Sequence, residues 1–301
     1  MSFTLHQLRV FSEVARHKSI TRASEALFMS QPAVSIQVKK LQDHFGVDLF
    51  EVIGRQLYLT EAGKELEKVQ NRIEQEFAGL EMYFSELKGS LTGTLNLSVV
   101  STAKYFMPYI LGEFKKQYPE INVSLKVTDR SEVIDDLTNN KCDLALFSIL
   151  PDDLELISTE VVDNPLYMVA PAEHHLREKS IKLDDLKEEG FILRESNSGT
   201  RLVLEKLLAD AGIEPKVVMK LSTNEAVKQA IMAGIGISLV TEHSILLEKR
   251  LNKLCVLKVK ELPYVNKWKL VHLKGKRLSP VAKNFLHFTT TSDIESLLPL
   301  A

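Results

Sequence analysis

Residues 30 to 42 read SQPAVSIQVKKLQ, and the fold of the first sixty residues turns on this run. Ser30 is a natural N-cap, and Pro32 falls in a first helical turn, where its missing N–H costs nothing. Val34, Val38 and Leu41 recur at helical spacing, so the run is predicted as an amphipathic helix with a buried apolar stripe. Gln31, Ser35, Ile36 and Lys39 are left facing outward.

Upstream, Thr4 and Gln7 form a capping-box pattern, and Leu5, Leu8, Phe11, Val14 and Ala15 share a helical face that ends near His17 and Lys18. Residues 19 to 28, SITRASEALF, give a second short helix in which Ile20, Ala23 and Leu27 share a face, followed by a brief turn at Phe28 and Met29. Two short helices joined by a tight turn, the second with a small polar N-terminal face, make a helix-turn-helix. Its outward face would lie in the major groove of double-stranded DNA. Gln31 can pair with adenine, Ser35 can donate or accept at base edges, and Pro32 and Ile36 can meet a thymine methyl. Ser30 and Lys39 suit phosphate contacts. The bland alternative is an amphipathic helix with a merely solvated face.

Downstream, VDLFEVIGRQLYLT places β-prone residues on either side of Gly54, as a hairpin wing would, with Arg55 beside the turn and aimed at phosphate. From Thr60, a natural N-cap, no proline interrupts the chain as far as Lys88. Leu66, Val69, Ile73, Phe77, Leu80, Phe84 and Leu87 recur there at spacings of three and four. A long helix with such a seam needs a partner, most simply the same helix of a second copy.

Together, the helix-turn-helix with SQPAVS, the wing running into GRQLYLTEAGK and the long helix resemble the amino-terminal part of a LysR-type transcriptional regulator. The resemblance implies a homodimer or dimer of dimers on promoter DNA, with a small-molecule effector and RNA polymerase as further partners.

The rest of the chain alternates strand and helix. INVSLKV, DLALFS, PLYMVAP, FILR, VVMKLS and NKWKLVHL read as strands, with SEVIDDL, TRLVLEKLLADAG and the segment from Ser279 to Phe288 as helices. The expected fold class is α/β with a largely parallel sheet, preceded by an all-α winged helix-turn-helix domain and a long linker helix. The resemblance adds a two-subdomain effector domain shaped like a periplasmic binding protein. The expected divisions are 1–60 for DNA binding, 61–88 for the linker helix and 91–301 for the effector domain. Within the last, subdomain I takes 91–160 and 266–301, and subdomain II takes 161–265.

Ligands of such sheets bind where strand ends, loops and helix N-termini converge. The candidate effector residues are accordingly Ser101, Thr102, Thr128, Arg130, Ser148, Arg194, Ser198, Thr200 and Asn224. The richest loop is RESNSGTR, residues 194 to 201, where hydroxyls, arginines and free N–H groups at a helix start favour an anion. STAKYFMP, RESNSGTR and STNEAVKQAIMAGIGIS are similar to the LysR subgroup that controls carbon-dioxide-fixation operons. Asp129 and the loop FSILPD, which lacks an arginine, depart from that subgroup; both make a multiply charged phosphate ligand less comfortable and leave a smaller or singly charged effector open.

Composition supports this picture and excludes others. At 301 residues, with 45% hydrophobic and 26% charged residues, the chain has room for more than one globular domain. The net charge of -2 leaves DNA binding to a local patch rather than to the chain as a whole. An α/β enzyme or a plain small-molecule-binding protein could use the same cleft. However, GxSxG, HExxH, CxxC and paired carboxylates near the loops are absent, and no signal peptide precedes the helix-turn-helix. His174 and His175 are adjacent, so their side chains are expected to diverge, and Cys142 and Cys255 read as small hydrophobes. No metal, cofactor or membrane span is expected, and the cytoplasm is the expected location.

Overall fold

The computed structural model describes residues 3–54, 56–87 and 90–299. Contacts divide the chain into two units between Glu81 and Met82.

The first unit opens with α1 (Leu5–His17), held by a reciprocal cap in which Gln7 N–H donates to Thr4 Oγ1 at 3.2 Å and Thr4 N–H donates to Gln7 Oε1 at 2.8 Å. Leu8, Val10, Phe11 and Val14 are buried, whereas Leu5 of the expected apolar face is exposed. Then α2 (Ile20–Ala26) ends in a Schellman turn, with Phe28 N–H donating to Glu25 O and Met29 N–H to Ser24 O. Phe28 therefore stands at φ +53°, where a residue with a Cβ gives up about 1 kcal/mol.

The run quoted at the outset is α3 (Gln31–Phe45), with Val34, Val38 and Leu41 buried and Gly46 closing it at φ +69°. The wing is β1 (Phe50–Ile53) paired antiparallel with β2 (Gln56–Leu59), and Gly54 turns it at φ +67°. Phe50 of the wing lies 5.2 Å from the Phe11 ring, which ties the hairpin to α1.

Next comes α4 (Glu61–Leu87). Thr60 Oγ1 accepts from Gly63 N–H at 3.0 Å and donates to Asp48 O at 2.7 Å, so the cap also fixes how the helix leaves the wing. A Cβ on Gly63 would lie 2.1 Å from Leu49 O, so only glycine fits there. Leu66 and Ile73 of the apolar seam pack on the helix-turn-helix core, whereas Val69, Phe77, Leu80, Tyr83, Phe84 and Leu87 are exposed.

The second unit begins with β3 (Gly93–Val100), a short 3-10 turn at Ser101–Tyr105, α5 (Met107–Gln117), β4 (Ile121–Thr128), α6 (Arg130–Thr138) and β5 (Leu144–Phe147). It continues through β6 (Leu156–Pro171), β7 (Ser180–Ile181), β8 (Gly190–Arg194), α7 (Gly199–Asp210), β9 (Lys216–Leu221) and α8 (Asn224–Met232). The remaining elements are β10 (Ser238–Thr241), α9 (Leu246–Arg250), β11 (Leu254–Val256), β12 (Lys258–Val259), β13 (Tyr264–Leu273), α10 (Pro280–Thr291) and α11 (Ile294–Leu297).

The main sheet runs β10-β6-β13-β5-β3-β4, with β11 also on β6. Its pairings correct the expectation of a largely parallel sheet. Only β3–β4 and β3–β5 are parallel in it, whereas β6 and β13 meet all their neighbours antiparallel. Strand β6 is also far longer than PLYMVAP, because its first half, LISTEVVDN, pairs with Asn266–Leu273 of β13. Parallel pairs recur in β8–β9 and β7–β12.

These two long strands join two hydrophobic cores. Val162 lies in the core built on β3, α5 and α10, and Leu166 in the core built on β8 and α7. Trp268 belongs to the first core, and Tyr264 packs against the second. The crossing carries buried polar groups that pair with one another. Thr241 Oγ1 donates to Asn164 Oδ1 at 2.6 Å, Asn164 Nδ2 to Asn266 Oδ1 at 2.7 Å, and Asn266 Nδ2 to Ser148 O at 3.4 Å.

Candidate functional site

Two surfaces carry the chemistry. On the first unit, Ser30, Gln31, Pro32, Ser35, Ile36 and Lys39 are all exposed along one face of α3, because the buried stripe claims the opposite side. Ser30 Oγ accepts from Ala33 N–H at 3.4 Å, which spends its acceptor on the cap and leaves its O–H free to donate outward. Lys40, which the sequence reading passed over, is exposed beside Lys39. Arg55 lies outside the described residues.

On the second unit, a recess opens at the carboxyl ends of β3, β5 and β8. Ser101, Thr102, Arg130, Ser148, Arg194, Ser198 and Thr200 line it together with Val100, Asp129, Phe147, Ile149, Glu195 and Gly199. The helices α6 and α7 both start at its wall, so their free N–H groups bring partial positive charge to it. Gly199 keeps this corner close-packed: a Cβ there would stand 3.1 Å from Ser148 Oγ, which would have to give by a few tenths of an ångström.

Arg194 ends β8 and is only 4% exposed. Its Nε and Nη2 donate to the two carboxylate oxygens of Glu195 at 2.9 and 2.7 Å, and Nη2 also reaches Ser101 Oγ at 3.4 Å and Ser222 O at 3.3 Å. Its Nη1 is buried and has no partner among the described residues, as is Nε of Arg130. Arg130 Nη2 reaches Ile149 O at 3.5 Å, and the guanidinium lies 6.0 Å from the Phe147 ring centroid. Burial holds its pKa below the ordinary arginine value, with Asp152 and Asp153 opposing. Two buried guanidinium N–H groups without acceptors are expensive to leave unmade, and an anion supplies what they lack.

Thr128 and Asn224 stand apart from this lining. Thr128 donates its hydroxyl to the Glu132 carboxylate, and Asn224 Nδ2 donates to Tyr105 Oη at 3.4 Å. Asp129, whose charge argued against a multiply charged ligand, is the N-cap of α6 and accepts from Glu132 N–H at 3.0 Å. In this recess, sequence reasoning missed Glu195, since an acid beside an arginine carries no signal of its own.

His174 and His175 do not diverge as expected. Their rings are 4.5 Å apart, and each Nε2 lies 3.3 Å from an oxygen of Glu189. Leu176 N–H donates to His174 Nδ1 at 3.3 Å, so the proton of a neutral ring sits on Nε2 and points at the carboxylate. In that form His174 has no lone pair left on Nε2, and it braces Glu189 through a hydrogen bond. Cys142 is buried, which pushes its thiol up to about 12, and burial also raises Cys255. Neither has the low pKa of a reactive thiol. Among the described residues no helix is long and apolar enough to cross a membrane.

Comparison with known proteins places both surfaces in context. Residues 5–64 match the family model of the bacterial regulatory helix-turn-helix protein, lysR family, and residues 88–292 match that of the LysR substrate binding domain. The chain is 42% identical to the RuBisCO operon transcriptional regulator of Allochromatium vinosum over 289 residues, which cover 96% of each protein. It is 40% identical to the HTH-type transcriptional activator CmpR of Synechocystis, again over 96% of each. Among solved structures, the Synechocystis CcmR regulatory domain in complex with 2-PG is 39% identical with a TM-score of 0.64, over 66% of this chain and 97% of that one.

Proposed function

Because the chain belongs to the LysR family of sequence-specific, DNA-binding transcriptional regulators controlled by small-molecule effectors, we propose that the recess between Arg130 and Arg194 is its effector site. The effector is a compact anion of the same class as the 2-PG held by the CcmR domain. The observation that carries this reading is the pair of buried guanidinium N–H groups without acceptors, Arg130 Nε and Arg194 Nη1, at one recess flanked by two helix N-termini. Ser101, Thr102, Ser148, Ser198 and Thr200 add the hydroxyls that orient a tetrahedral or planar oxyanion. Thr128 and Asn224 hold the walls through Glu132 and Tyr105.

On the DNA side, Gln31, Pro32, Ser35 and Ile36 read bases, and Ser30, Lys39 and Arg55 meet phosphate. The exposed half of the α4 seam pairs with a second copy, which brings two reading heads to two half-sites. The protein works in the cytoplasm, where the DNA is, and the recess serves binding: its two arginines and its hydroxyls suit holding an anion.

Calorimetric titration of 2-PG into the full chain tests the effector reading. Arg194→Gln removes a buried charge that the ligand needs, and is expected to weaken binding by at least 100-fold, about 3 kcal/mol. Arg130→Gln should cost somewhat less, because that guanidinium is less buried. Unchanged affinity in both variants would move the ligand elsewhere.

A further inference from the structure

Phe28 is 98% exposed, and it occupies the left-handed position of the turn between α2 and α3. Both facts run against what folding alone asks of the position. Glycine or asparagine fits the closing residue of a Schellman turn without strain, whereas phenylalanine does not. Nor does the turn use the ring as its apolar anchor. Met29, the next residue, takes that part and packs on the cluster of Val10, Val14, Ala23, Val34 and Val38. A large aromatic side chain is thus held clear of the protein, at a strained position, two residues before the N-cap of the helix that carries Gln31 and Ser35.

We infer that Phe28 is a DNA contact: its ring lies against the deoxyribose wall of the major groove where the chain passes from the backbone-crossing helix α2 into the groove-lying helix α3. This rests on the docking of α3 proposed above. The position within the motif sets the chemistry. Side chains from Gln31 onward face base edges, whereas a residue in the turn before the N-cap meets the rim of the groove, which is made of sugars between phosphates. A neutral ring gains there by covering apolar C–H surface, and it displaces no counterions. The contact therefore adds affinity without sequence preference and without salt dependence, unlike a lysine on phosphate.

The test uses the full chain, a 30-bp duplex recovered by selection from a random pool, and an unselected random 30-bp duplex. Anisotropy titrations are run across a salt series for wild type, Phe28→Asn and Lys39→Ala, with thermal unfolding alongside. Asparagine tolerates the left-handed backbone, so Phe28→Asn is expected to leave the unfolding midpoint unchanged or raised. It should also weaken both duplexes by the same factor, about tenfold, with an unaltered slope of log K against log salt. Lys39→Ala should instead flatten that slope. Phe28→Asn binding within twofold of wild type overturns the inference, as does a loss confined to the selected duplex, which would make the ring a base reader. If Lys39→Ala also leaves affinity and slope untouched, the docking of α3 itself has failed; a normal Lys39 response with a silent Phe28→Asn isolates the failure to Phe28.

Discussion

At the scale of single residues, the fold depends on a few positions where one side chain alone fits. Gly63 sits in the first turn of α4 against Leu49 O, which would lie 2.1 Å from any Cβ. The obstacle is backbone, not a side chain that can swing away. Gly63→Ala must therefore push the helix off the wing. We expect it to destabilise the first unit by about 2–3 kcal/mol, read as an earlier thermal transition of the full chain with that of the effector unit unmoved. An unchanged profile would mean that the helix start shifts without cost. Legibility at this scale was uneven. Ser30, Thr4 and Thr60 announce themselves as caps because a short polar side chain before an apolar repeat has few other uses. Gly63 gave no such sign, since its necessity comes from a carbonyl fourteen residues upstream. Arg194 was readable from a strand end rich in N–H donors, but its pairing with Glu195 was not. Asn224 was placed in the cleft for standing at a helix start, where its amide instead meets Tyr105.

At the scale of elements, local periodicity identified the three helices and the wing, and it identified the strands that lie wholly inside one core, such as β5. It failed on β6. Its first half alternates weakly and is rich in polar groups, because it pairs along β13 with one side toward solvent. Strand direction was misjudged for a related reason: alternating strands and helices suggest crossovers, and nothing local reveals that two long strands run back between the cores. The α4 seam was read as a single stripe, yet Leu66 and Ile73 serve the chain's own core, while Val69 between them and the later positions Phe77, Leu80, Phe84 and Leu87 are exposed. That division makes a sharp prediction. Phe77→Glu, on a residue 53% exposed, should convert the dimer to monomers by sedimentation without lowering the helix-turn-helix transition. Leu66→Glu should instead unfold that unit. Intact dimers in Phe77→Glu would assign the interface to another face.

At the scale of the whole molecule, the proposed effector site implies coupling: an anion held at the second unit would alter how strongly the first unit holds DNA. The effector unit also has a pH limit of its own. His272 is 8% exposed on β13, and burial depresses its pKa below the ordinary 6.5, against the acceptor bond from Leu273 O. The unfolded chain thus takes up a proton at His272 before the folded one does. Stability from this group is present above about pH 6.5 and is lost as pH falls through the depressed folded value. The unfolding midpoint of the wild type should drop more between pH 7 and pH 5 than that of His272→Gln, and parallel curves would remove His272 from the explanation.

Effector control requires that the ligand bind the DNA-bound and free chains with different affinity, and the difference must be the same when read from either side. The decisive measurement is a calorimetric titration of 2-PG into the full chain, free and saturated with its selected duplex, beside the duplex affinity with and without saturating 2-PG. The account predicts two different dissociation constants for 2-PG whose ratio equals the ratio of the two DNA affinities, with both effects abolished by Arg194→Gln. One dissociation constant for 2-PG in both states would contradict it, leaving an anion site that does not speak to DNA.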